Sequence, residues 1–118
     1  MIYIDGFLIP VLAGSIKEAY RLFVEKAVSI FKDHGATRVV EGWADDVPHG
    51  KIPDFHRAVQ IKDGETVVFA LIEWPDKPTR DTSMKKVTEG ARMQPSGETM
   101  PLDGARMIFG GFRAIVDQ

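Results

Sequence analysis

Four charged residues stand inside otherwise apolar stretches that read as strands: Asp5, Glu41, Glu73 and Arg113. A carboxylate enclosed among apolar groups has its pKa raised by desolvation or lowered by a cationic neighbour, and either state can serve acid–base chemistry. The same groups at a wet strand end, or Arg113 paired with a carboxylate, would be structural. Asp5 is the best single choice, because it lies mid-strand between Tyr3 and Phe7. Asp5, Glu73 and Arg113 therefore form the candidate catalytic set. Tyr3, Phe7, Trp43, Phe69 and Phe109 form the candidate apolar lining of a ligand site.

Asp45, Asp46 and His49 place oxygen and imidazole ligands in one loop, a combination that holds divalent cations. Asp-Asp followed by Pro48-His49-Gly50 is equally a solvated turn, so no metal is assigned, and no cofactor is expected. His34 falls at a helix C-terminus, where the macrodipole favours it. Met84, Met93, Met100 and Met107 suit an adaptable lid or dimer contact, or simply the filling of core gaps. Gly110-Gly111 lacks the strand-to-helix setting of a phosphate loop.

The elements that must position these residues fit one domain, 1–118, long enough to bury roughly 65% of its unfolded surface. There is no cysteine, which excludes disulfides, thiolate metal sites and a cysteine nucleophile. With 15 Lys plus Arg against 17 Asp plus Glu, the charge is mixed along the chain and no basic stripe awaits nucleic acid. The N-terminal apolar stretch has no basic region before it and contains Asp5, unlike a secretory signal. No apolar run reaches the roughly 18 to 20 residues of a membrane span, so a cytoplasmic protein is expected.

Thr66 to Trp74 is β-branched and aromatic on both parities, which predicts a central strand covered on both faces. Ile2 to Val11 reads as a first strand ended by Pro10. Ser15 and Glu18 fit a capping box, and Ile16, Ala19, Tyr20, Phe23, Ala27, Ile30 and Phe31 recur at helical spacing up to Gly35. Ala36 to Ala44 is a second strand. Phe55 to Ile61 reads either as a strand pairing across Asp63-Gly64 or as a helical turn at Asp54 to Ala58. Lys77 to Gly90 is a second helix with a thin stripe at Met84, Val87 and Ala91. Arg106 to Val116 is a last strand with a bulge or close approach at Gly110-Gly111.

This order, βαββαβ, predicts an α+β, ferredoxin-like fold: an antiparallel sheet with both helices on one face. The bare face is assigned to the parity of Tyr3, Phe7, Ile9, Val39, Trp43, Val67, Phe69, Leu71, Met107, Phe109 and Ile115. The small residues Gly6, Gly42, Ala44, Ala70, Gly110 and Ala114 would then lie under the helices. An apolar face of that size predicts a homodimer.

Tyr3-Ile-Asp-Gly-Phe7, Ala44-Asp-Asp-Val-Pro-His-Gly-Lys51, Glu65-Thr-Val-Val-Phe69 and the Met100 to Phe112 stretch together resemble the YbaA-like bacterial family, domain of unknown function 1428. Leu102 stands where relatives commonly carry an aromatic. The resemblance spans essentially the whole chain and implies the dimeric α/β-barrel superfamily. Members of that superfamily include cofactor-free monooxygenases, haem-degrading enzymes, chlorite dismutases and lactone isomerases. It implies no activity and no catalytic residue for this chain. The expectation is a homodimer holding a small apolar molecule in a sheet-lined cavity, with oxygenase or isomerase-type proton abstraction as the chemistry. The rival is a non-catalytic structural or stress-related protein whose barrel is packed shut.

Overall fold

The computed structural model describes residues 1–12, 17–89 and 104–118. The elements are β1 (Tyr3–Leu12), α1 (Lys17–Asp33), β2 (Arg38–Trp43), α2 (Phe55–Ala58), β3 (Glu65–Trp74), α3 (Lys77–Glu89), a 3₁₀ turn at Gly104–Arg106 and β4 (Ile108–Arg113). The sheet order is β2-β3-β1-β4 with every neighbouring pair antiparallel. This is the α+β, ferredoxin-like arrangement, with β1 and β3 central as expected. Pro10 does not end β1 but pairs with Val67 inside it. The β4 ladder stops at Leu8, so Pro10 sits where β1 has a neighbour on one side only and a missing N–H is tolerated.

Local capping bonds end α1 and start α2 and α3. Ala36 N–H donates to the Phe31 carbonyl at 3.0 Å and Gly35 N–H to Lys32 at 3.2 Å, a Schellman closure of α1. Gly35 has φ +109°, and a Cβ there would stand 2.9 Å from Thr79 on α3, so conformation and helix packing both require glycine. Ser15, the expected cap of α1, lies outside the described residues. Asp54 resolves the ambiguous segment as a helical turn, accepting a hydrogen bond from Arg57 N–H at 2.6 Å. Asp76 does the same for α3 through Thr79 N–H at 2.8 Å.

Register decides which residues share a face. Tyr3, Asp5, Phe7 and Ile9 lie opposite Trp74, Ile72, Ala70 and Val68, and the first three also lie opposite Arg113, Gly111 and Phe109. Val39, Glu41 and Trp43 join the same side through Ile72, Ala70 and Val68. Helices cover this side: Tyr20 and Val24 of α1 pack on Ile9, Val11 and Val68, while Phe31 and Met84 pack around Tyr3, Ile72 and Trp74. The opposite face carries Ile4, Gly6 and Leu8 of β1, Val67, Phe69, Leu71 and Glu73 of β3, and Ile108, Gly110 and Phe112 of β4. The expected face assignment therefore holds for β3 and is reversed for β1, β2 and Phe109 of β4.

Two sequence details explain the reversal. Both parities of β1 are apolar, so alternation gives no contrast. The glycines make room for a side chain rather than for a helix, since the Phe112 ring lies against both Gly6 and Gly110. Gly111, on the helix side, marks the close approach: a Cβ there would meet the Tyr3 hydroxyl at 2.5 Å and Arg80 Nη2 at 2.9 Å. Met84 and Met107 are core fillers rather than lid residues, while Met93 and Met100 lie outside the described residues.

Candidate functional site

The face left bare by the helices is concave and apolar. A hollow of about 550 Å³ opens over Ile4, Leu8, Phe69, Leu71, Ile108 and Phe112, bordered also by Phe7 and Phe109. Phe69 is 51% exposed and Phe112 63%. That volume is in the range of small-molecule sites. At one end the face is partly covered, because Phe55 of α2 meets Phe69 edge-on at 6.4 Å. Of the five aromatic residues expected to line one cavity, Phe7, Phe69 and Phe109 border this hollow. Tyr3 and Trp43 do not: Tyr3 lies beneath the Arg80 guanidinium of α3 and Trp43 against Tyr20 of α1. Glu73 lies on the open face, in register with Ile4 and Arg38, and is half-buried.

Asp5 is elsewhere. Its carboxylate is 2% exposed beneath α3, where Trp74 Nε1–H donates to Oδ2 at 2.9 Å and Arg80 donates through Nε to Oδ2 at 3.1 Å and through Nη2 to Oδ1 at 2.8 Å. The guanidinium also stacks over the Tyr3 ring, 5.2 Å from its centroid. The hydrogen-bonded carboxylate holds Arg80 well above its usual range, so the pair is a fixed charge pair in which both Asp5 oxygens are engaged. Arg113, a candidate catalytic residue that the sequence also offered as a structural partner for a strand carboxylate, is exposed at the end of β4. Sequence reading missed Arg80, although it precedes Met84 and Val87 by four and seven residues and so extends the buried stripe of α3.

Glu41 is the strand carboxyl that shows an enclosed group's behaviour. Burial pushes its pKa up, partly offset by the Tyr20 hydroxyl, which donates to Oε1 at 2.5 Å. Burial, and then this carboxylate, push Tyr20 upward as well. A groove of about 290 Å³ between α1 and β2 runs past this pair, with Trp43 on its wall and the Lys17 ammonium over the indole at 5.6 Å. Asp45 and Asp46 are exposed and do not gather around His49. His49 instead meets residues of the next turn, His56 and Asp54.

A family model described as a protein of unknown function (DUF1428) matches residues 2–104. Uncharacterized protein YbaA of Escherichia coli K12 is 49% identical over 118 residues, covering 100% of both chains, and that of Shigella flexneri matches equally. A dimeric ferredoxin-like protein from an uncultured marine organism superposes with a TM-score of 0.57 at 13% identity, covering 100% of this chain and 98% of its own. No helix among the described residues is long and apolar enough to cross a membrane.

Proposed function

Because the chain belongs to the DUF1428 family, whose function is unknown, the reading has to come from the site, and we propose a homodimer that encloses a small apolar molecule between two apposed sheets. The observation that carries it is the concave open face, with Phe69 and Phe112 half or more exposed. A monomer seldom leaves such a patch to water. A second copy set on it gives the dimeric α/β barrel, and the marine neighbour is itself described as dimeric.

The ligand is apolar and ring-sized, held by Phe69, Leu71 and Phe112 with Glu73 as the polar anchor. Where the dimer turns substrate over, Glu73 is the base for proton abstraction in isomerase or cofactor-free oxygenase chemistry, because Asp5 is engaged by Arg80 and Trp74 on the far side of the sheet. Native mass spectrometry of gently purified protein tests this. A dimer with a reproducible extra mass supports the reading. A bare dimer favours a barrel packed shut by Phe112, and a monomer at micromolar concentration overturns both.

A further inference from the structure

Outside the open face, one cluster gathers metal-ligating side chains. His49, midway along the loop between β2 and α2, and Asp54 and His56, at the start of α2, bring one donor atom each within 4.8 Å of one another. The two imidazoles lie parallel, 4.1 Å between centroids and 16° between planes. They stand in a hollow of about 370 Å³ whose wall continues through Arg57, Gln60 and Ile61.

Asp54 is built in rather than incidental. Its side chain is 4% exposed, and its oxygens are aimed by Arg57 N–H at 2.6 Å and Gly50 N–H at 3.0 Å, which leaves a lone pair on each. His56 Nδ1 is the anomaly: among the described residues it is the buried side-chain polar atom with no hydrogen-bond partner. A buried polar atom left without a partner is destabilising, and a bound ion would satisfy it. His49 is 77% exposed, which leaves its ring free to rotate onto an incoming ion.

We infer that His49, Asp54 and His56 form a site for a divalent transition metal ion of the zinc class, held by two imidazole nitrogens and one carboxylate oxygen. The donor set selects the metal. Two imidazoles favour zinc, cobalt or nickel over calcium and magnesium, which take oxygen ligands. Metal–nitrogen bonds of about 2.0–2.1 Å need donors closer than 4.8 Å, and rotation of the exposed His49 ring supplies the closure. Three protein ligands leave at least one position for water or a ligand. The nearest competing cation is Arg57, whose Nε lies 3.8 Å from Asp54 Oδ2. Phe55, between the two α2 ligands, is seated on Phe69, so the open face fixes the turn that presents them. The site is complete within one chain and does not depend on the dimer.

The test is titration of tag-free, chelator-stripped protein with Zn²⁺ by calorimetry and with Co²⁺ by visible absorption and proton NMR. One ion per chain is expected, with two imidazole signals shifted by Co²⁺. His49→Ala and His56→Ala are each expected to weaken binding by about 100-fold, at or beyond the 10–100-fold that loss of a supporting partner alone costs. His34→Ala should leave binding unchanged. Because His49 is exposed, its variant keeps the fold, checked by far-UV circular dichroism, and decides the matter even where His56→Ala does not fold. Failure of wild-type protein to take up either ion, or wild-type affinity in folded His49→Ala, overturns the site.

Discussion

At the scale of single residues, the most informative group is Asp5, because chemistry and architecture make opposite demands on it. A general base needs a free lone pair facing substrate, whereas Asp5 spends its oxygens on Trp74 and Arg80 beneath α3. Asp5→Asn should therefore lower stability by about 3 kcal/mol, since removing one partner strands the other's charge. Urea unfolding of the variant checks this, and a folded variant of unchanged stability would contradict a structural pair. The same network explains Gly111, where an added methyl meets Tyr3 and Arg80 below 3 Å. Gly111→Ala is expected to cost about 1–3 kcal/mol through overpacking. Gly104→Ala, with nothing within 4 Å, should lie within about 0.5 kcal/mol of wild type. Denaturant midpoints of the two variants distinguish a packed glycine from an idle one.

Elements are tied to one another by two carboxyls whose titrations run in opposite directions. Arg106 holds Glu65 at the start of β3, donating through Nη1 at 2.8 Å and Nη2 at 2.5 Å, and also grips the Gln60 carbonyl after α2 at 2.9 Å. The Arg106 hydrogen bond leads in lowering the Glu65 pKa from the ordinary 4.5. A lowered native pKa gives stability that is present above 4.5 and is lost as pH falls through the native value, because the unfolded chain takes up its proton first. For Glu41, raised from 4.5 chiefly by burial, the unfolded chain loses its proton first, so stability falls as pH rises from 4.5 toward the native value. Glu65→Gln should thus be destabilising at neutral pH, with the deficit shrinking in acid. Glu41→Gln should gain on wild type as pH rises above 4.5. Unfolding free energies across the acid range, measured for both variants, check the two signs. The order of the main elements was readable because their stretches carry local patterns: five apolar turns in α1, β-branched residues in β3, the Met84 and Val87 stripe in α3, whereas Phe55 to Ile61 fitted strand and helical turn equally. Partnerships such as Asp5 with Arg80 and Arg106 with Glu65 are set by the tertiary fold across long sequence separations, which local patterns do not encode. The face of β1 was unreadable for another reason, since Ile4 and Leu8 are as apolar as Tyr3 and Phe7.

For the whole molecule, the question is why a sheet built with two apolar faces has helices on one. Tyr20, Phe31, Met84 and Val87 finish one core, and the other face leaves Phe69 at 51%, Ile108 at 44% and Phe112 at 63% exposure. A standard interface buries about 800 Å² per partner, and a second copy seated on this face would take these side chains out of water. The consequence separates dimer from monomer by thermodynamics alone. In a monomer, replacing exposed Phe69 with Lys removes little burial, and stability should change by about 0.5 kcal/mol or less apart from the lost Phe55 contact. In a dimer, two lysines enter an apolar interior beside their symmetry mates, and desolvation with like-charge repulsion opposes assembly. Phe69→Lys should therefore shift light-scattering mass from dimer to monomer. It should also abolish the concentration dependence of the wild-type melting temperature that mass action imposes on a coupled dimer. A wild-type melting temperature that does not rise over a hundredfold increase in protein concentration, together with an unchanged mass for Phe69→Lys, would show that the open face is not where two chains meet.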